Sequence, residues 1–270
     1  MTRSRATIAC VVLALAGTRQ ARADQIVATV TDDRPGLSYL WDGGALPFFW
    51  GALAAQEALS RYLTVRETPL GFSASEGGAS PASWEVPSWT LTATGAAVGV
   101  AMIAGGDRSR WYHLKGLAET FAVGSVMTTL VKRTFGRHRP DWTPGSTDPS
   151  SNESFVSGHA TNAFAIATYS ALYLRYHVFD VWRRPGALPW WEGVAYAGIL
   201  GGASAFAAER VIHHRHHVSD AAMGSVLGSA EAAVFFLYQQ RRFRSRHEPA
   251  ITITPVITET SASVRLEGTF

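Results

Sequence analysis

From Pro87 to Gly106 the chain runs for twenty residues without a charge, long enough for one helix to cross the hydrocarbon core of a bilayer. Further apolar stretches at Leu114 to Val131, Gly158 to Leu174, Trp191 to Ala208 and Ala221 to Tyr238 are dominated by Ala, Leu, Val, Gly and aromatic residues. Together they predict an all-α helical bundle, a polytopic membrane protein with about five spans. Glu119 and Glu231 interrupt the second and fifth stretches, and the third and fourth are shorter, so a soluble all-helical domain is the alternative.

Loop charge favours the membrane. Arg108, Arg110 and Lys115 lie in one loop, Arg175, Arg183 and Arg184 in another, and Arg241, Arg242, Arg244 and Arg246 after the last stretch. If these regions are cytoplasmic, as the positive-inside bias prefers, the alternate loops around 132–157 and 209–220 face the other side. Charged residues make up 17% of the chain, against roughly 25% in an average soluble protein. The excess of 24 Lys and Arg over 21 Asp and Glu is only +3 and falls in short clusters, which argues against a nucleic-acid partner.

Residues 1–23 read as a signal peptide: a basic start at Arg3 and Arg5, an apolar run from Ala6 to Gly17, and the small-x-small site Ala21-Arg22-Ala23. The sole cysteine, Cys10, falls inside it, so disulfides and thiolate chemistry drop out of the mature chain. An uncleaved anchor is the competing reading. Residues 24–88 read as a periplasmic segment with peripheral helices between Leu46 and Leu63 and a Gly, Ser and Pro-rich loop from Gly71 to Ser88. Residues 89–240 form the expected helical core, and 241–270 a tail whose Ile-Thr alternation from Ile251, broken at Pro255, reads as a short strand pair or a loose end.

Three clusters fall in the alternate loops or at their edges. In the first, Lys132 and Arg139 are seven residues apart, so a helix continuing to Pro140 would put both on one face, where a cation pair suits a phosphate. The bland alternative is a basic flank at a membrane surface. In the second, Ser157 is a helix N-cap candidate whose first turn offers free N–H groups to an anion; Gly158 permits close approach, and His159 stands beside it as a proton donor. An ordinary cap with an exposed histidine would look the same. In the third, His216 and Asp220 are four apart, which on a helix sets a carboxylate beside an imidazole. His213, His214, His216 and His217 also invite a metal reading, although no His-Glu-x-x-His spacing is present.

The order and spacings, Lys132-x6-Arg139-Pro140, then Ser157-Gly158-His159, then Arg210-x5-His216-x3-Asp220, resemble the signature of the type 2 phosphatidic acid phosphatase superfamily. That group also includes bacterial nonspecific acid phosphatases and vanadium haloperoxidases. The resemblance covers roughly residues 89–240 and implies that Lys132, Arg139 and Arg210 hold the phosphate oxygens, with Ser157 and the Gly158 amide adding hydrogen bonds. It further implies that His159 protonates the leaving group and that His216 is the nucleophile, oriented by Asp220, with no metal and no cofactor. Two positions depart from the pattern: Val156 stands where the family usually has Pro, and Glu209 where it usually has Ser. A carboxylate there would repel substrate unless it pairs with a cation or points away.

The implied substrate is a lipid phosphate or pyrophosphate, reached at the periplasmic face of a bacterial inner membrane. A soluble periplasmic acid phosphatase and a non-catalytic binder of anionic lipid head groups are the alternatives. A vanadate-dependent peroxidase fits less well, since the resemblance would then imply a longer chain.

Overall fold

The computed structural model describes residues 45–67, 69–70, 85–105, 107, 109–179, 189–247, 251–258 and 261–268. The expected signal peptide, most of the Gly71 to Ser88 loop, and Arg108, Arg183 and Arg184 lie outside the described residues. Among the described residues six α-helices follow one another: α1 (Ala45–Tyr62), α2 (Trp89–Ala104), α3 (Arg110–Phe135), α4 (Gly158–Tyr173), α5 (Trp190–Ile212) and α6 (Val218–His247). The tail forms an antiparallel pair, β1 (Ile251–Thr258) and β2 (Ser261–Gly268), with Ile251 opposite Gly268 and Thr258 opposite Ser261. The strand-pair reading of the tail holds, and β1 runs through Pro255, which stands opposite Val264. Each strand of a two-stranded ribbon has an open edge, where a missing N–H leaves no ladder bond unmade.

The helical expectation holds, with most boundaries shifted by a few residues and the end of α6 nine residues later, at His247 rather than Tyr238. α4 sits centrally and packs on α3, α5 and α6. Its buried face is largely alanine, at Ala160, Ala163, Ala165 and Ala167, which lets three neighbours approach one axis. Met102, Leu117, Tyr169, Tyr173 and Phe236 form the larger apolar cluster, and Leu91, Ile166 and Ala203 belong to a second. α4 and α6 come closest at Gly228, where a Cβ would lie 2.0 Å from the Thr161 carbonyl oxygen, and at Gly224, where it would lie 2.5 Å from that of Ser157. Only glycine fits such a crossing.

α3 ends earlier than the spacing of Lys132 and Arg139 requires. Gly136 takes a left-handed conformation, φ 59°, and its N–H closes the helix on the Lys132 carbonyl, four residues before Pro140. Lys132 therefore sits on the last turn of α3 and Arg139 on the irregular segment beyond, so the two do not share a helix face. The chain after α1 runs along this end: Arg66 N–H donates to the Arg133 carbonyl (3.1 Å) and Leu70 N–H to that of Phe135 (2.9 Å). Carbonyls that the helix leaves open are satisfied in this way.

By length and composition, one helix among the described residues is suited to crossing a membrane: Val218–Arg244, with a mean hydropathy of 1.4 over its best window. α2 is apolar but shorter. Hydropathy therefore supports one span of the five expected.

Candidate active site

Successive core helices run in opposite directions, so the end of α3, the start of α4, the end of α5 and the start of α6 meet at one end of the bundle. Each of the three sequence clusters lies at one of these termini. Lys132 closes α3, Ser157 caps α4 with its Oγ accepting the Ala160 N–H (3.4 Å), Arg210 lies in the last turn of α5, and Asp220 in the first turn of α6. The Ser157 N–H donates to the Asp220 carbonyl (3.0 Å), which pins the start of α4 to the start of α6. Ser157, Arg210, His216 and Asp220 are buried, whereas Lys132, Arg139, Gly158 and His159 keep partial exposure. Burial first, and then the charges of Arg210 and Lys132, 51 and 27 residues away along the sequence, bear on the His159 imidazole, so the three clusters meet at one end of the bundle.

His216 lies in the turn before α6, not on the helix. Its Nδ1 donates to the backbone carbonyl of Ser154 at 2.8 Å and stands 3.8 Å from Asp220 Oδ2. The direct orienting partner is therefore Ser154, a residue to which the sequence assigns no role. With the proton on Nδ1, a neutral ring carries its lone pair on Nε2. Burial pushes the imidazole down to about 4, and the Lys132 and Arg139 charges act in the same direction, against the pull of Asp220. The neutral form is the resting one at ordinary pH.

Asp220 is fully buried and holds more than one neighbour. Its Oδ2 accepts from Ser154 Oγ (2.5 Å) and from the His217 N–H (3.0 Å), and its Oδ1 accepts from Arg137. Arg137 also donates to Ser219 Oγ (2.7 Å). Asp220 thus fixes the loop that carries His216 as well as sitting beside the ring. Arg137 was visible only as one member of a basic run, and nothing in the spacing singles it out.

Lys132 is pushed down to about 8, first by burial and then by Arg139, with Arg210 adding to the effect. Arg139 and Arg210 thus set their charges close to that of Lys132, with Glu153 and Asp220 acting in the opposite direction. Arg210 is anchored from two sides, by Glu85 and by Glu209 Oε2 at 3.7 Å. Glu209 neither faces the site freely nor stands without a cation: its Oε1 accepts the Val86 N–H (3.0 Å) and lies 3.8 Å from His213 Nδ1. Sequence reasoning missed Glu85, which stands 125 residues from Arg210 and carries no motif.

The histidine run does not converge. His213 is buried beside Glu209, His214 is exposed with φ 54°, and His217 Nε2 donates to the His138 carbonyl (3.1 Å). Among the described residues no group of three or more His, Cys, Asp or Glu side chains is arranged to hold a metal ion. Val156, in place of the usual Pro, is buried in the turn that leads to Ser157.

Residues 113–244 match the family model described as the PAP2 superfamily, a span that contains all three clusters. No curated protein and no solved structure matches the chain.

Proposed function

The chain belongs through residues 113–244 to the PAP2 superfamily, the type 2 phosphatidic acid phosphatase superfamily, and from that premise we propose a metal-independent phosphatase of lipid phosphates or pyrophosphates. Membership supports phosphatase chemistry in general; the substrate, the covalent route and the location are our reading. The observation that carries it is His216: a buried neutral imidazole, its Nδ1 tied to a carbonyl, in the field of Lys132 and Arg139.

In this reading Lys132, Arg139 and Arg210 take the phosphate oxygens, and the N–H groups of the first turn of α4 add to them. His216 Nε2 attacks phosphorus and forms a P–N bond as the P–O bond to the leaving alkoxide breaks. His159 gives that alkoxide its proton. A water then attacks the phosphohistidine, His159 takes the water's proton, and the P–N electron pair returns to Nε2 as inorganic phosphate leaves. Asp220 and Ser154 hold the ring throughout. The cations supply the charge that a metal ion would otherwise provide.

The lipid reading draws support from where the apolar and charged side chains lie. Val100 on α2, Val194 on α5 and Val226 and Val234 on α6 are exposed, each at 60% or more. Inside, by contrast, Lys115 lies 4.0 Å from Glu119, Gln239 donates to Glu119 at 2.8 Å, and Glu192 is wholly buried. Apolar residues outward and paired charges inward suit a bundle in lipid. The charges that spoil the hydropathy of α3 are thus turned into the protein.

The test is release of inorganic phosphate from an aryl phosphate, phosphatidic acid and an isoprenoid pyrophosphate in detergent, with fractionation of the membranes. His216→Ala should lose on the order of 10³-fold or more of the activity and all acid-labile phosphoenzyme. His214→Ala should remain within a few-fold, and a chelator should leave turnover unchanged. Normal turnover in His216→Ala would sink the mechanism. A wash-soluble protein active on the aryl ester alone would favour the soluble acid phosphatase.

A further inference from the structure

Glu85 precedes α2 and reaches Arg210 across the bundle end. One carboxylate oxygen accepts from Arg210 Nη1, and the other lies 3.3 Å from Arg215 Nη2. A carboxylate with each oxygen on a separate guanidinium matches the contact that two oxygens of a phosphate would make. The side chain is 40% exposed while Arg210 is buried, so the carboxylate reaches Arg210 from the open side of the site. The neighbouring residue is fixed independently, because the Val86 N–H donates to Glu209 Oε1 at 3.0 Å. Arg215 has a second carboxylate, Asp141 at 3.1 Å, and keeps a partner if Glu85 moves away.

We propose that Glu85 is a displaceable stand-in for the substrate's phosphate, holding Arg210 in the resting protein, with Glu209 anchoring the segment that presents it. The proposal rests on the reading of Arg210 as a phosphate-binding cation. It gives the departure at Glu209 a use: a serine in its place is too short to reach as far toward the Val86 N–H. It also makes Glu85 a residue that sets how tightly the site holds any phosphate ligand. A ligand must compete with a tethered carboxylate of one negative charge for a guanidinium in the field of Lys132 and Arg139. A terminal phosphate with two charges competes better than a diester with one. Arg210 holds the Glu85 carboxyl below its usual range, so it stays charged across the working pH and its displacement is governed by the ligand.

The test is calorimetric binding of inorganic phosphate to the full chain in detergent, alongside kinetics on an aryl phosphate. Glu85→Gln should tighten phosphate binding and lower KM by about three- to tenfold, with kcat no lower than in the parent. Binding of a singly charged aryl diester should tighten by a similar factor, because displacing Glu85 costs every such ligand the same. Glu209→Ala, which frees the segment, should shift binding in the same direction, and the double variant should gain little over Glu85→Gln. Weaker binding or lower kcat in Glu85→Gln would make Glu85 a positioning residue for Arg210 and overturn the proposal, as would unchanged values. Phosphate binding needs no turnover: tighter binding in Glu85→Gln with no hydrolysis by either protein would keep the stand-in and discard the phosphatase. No phosphate binding by either protein would discard both.

Discussion

At the residue scale, the two groups whose protonation matters most are displaced in ways that set a pH window. His216, held at about 4 by burial, is neutral with Nε2 free from about pH 5 upward. Lys132, held at about 8 by burial and by Arg139, begins to lose its charge above that pH. Between these values the profile of kcat/KM, once corrected for titration of the substrate, should change only through the general acid His159, which must carry the proton it donates. It should fall below about pH 4 as the nucleophile is protonated, and above about pH 8 as a phosphate-binding charge is lost. Lys132→Arg should remove the alkaline limb, since a guanidinium stays charged. An acid limb near 6.5, the ordinary imidazole value, would mean that the nucleophile is not this buried ring. Stability carries a matching sign. Between 6.5 and about 4 the unfolded chain binds a proton at His216 that the folded chain refuses, so His216 favours folding at neutral pH and that contribution shrinks as pH falls through this window.

The candidate site residues were legible in the sequence because their types and spacings repeat a known signature. Their partners were not. The carbonyl of Ser154 has no side-chain identity to read, Arg137 is hidden in a run of similar residues, and Glu85 is remote along the chain. Contacts made by backbone atoms, or across more than a hundred residues, leave no local trace in a single sequence.

At the scale of elements, the site depends on how closely α4 and α6 approach. A methyl group at Gly228 would overlap the Thr161 carbonyl, and a backbone atom cannot swing aside as a flexible side chain does. Gly228→Ala should push α6 off α4, cost about 1–3 kcal/mol of stability, and reduce hydrolysis by disturbing the bond between Ser157 and Asp220. Gly198→Ala on α5 is the control, because an added Cβ there meets nothing within 4 Å. It should be neutral, or stabilising by up to about 1 kcal/mol through helix propensity. Unfolding in denaturant, read by circular dichroism, separates the two; equal stability in both would show that the crossing is not tight. The existence of the core helices was readable from apolar composition, since that pattern needs no knowledge of neighbours. The end of α3 was not, because the left-handed turn at Gly136 also serves a crossing chain, with the Arg66 carbonyl 2.2 Å from where a Cβ would be.

At the scale of the whole molecule, the question is which way the bundle faces. Arg110 opens α3, Arg175 follows α4, and Arg241, Arg242 and Arg244 lie near the end of α6, so all belong to the end opposite the site. If the bundle spans a membrane as we propose, the positive-inside bias favours that end in the cytoplasm and the site outside. The site end also carries many cations, which by count alone would contradict this. Several of them, however, face carboxylates: Arg133 lies 3.5 Å from Glu153, Arg137 pairs with Asp220, and Arg215 with Asp141 and Glu85. Cations bound to carboxylates or reserved for a substrate are poor guides to orientation. We therefore expect single cysteines in a Cys10→Ser background to report opposite sides, one at Ser150 in the turn Pro149–Asn152 and one at Ser245 near the end of α6. A membrane-impermeant maleimide added to intact spheroplasts should label position 150 and spare position 245, with both labelled once the membrane is opened by detergent. Labelling of 245 alone would invert the molecule and place hydrolysis in the cytoplasm. Labelling of both in intact spheroplasts would leave α6 on one side of the membrane, and the exposed valines would then need a partner other than lipid.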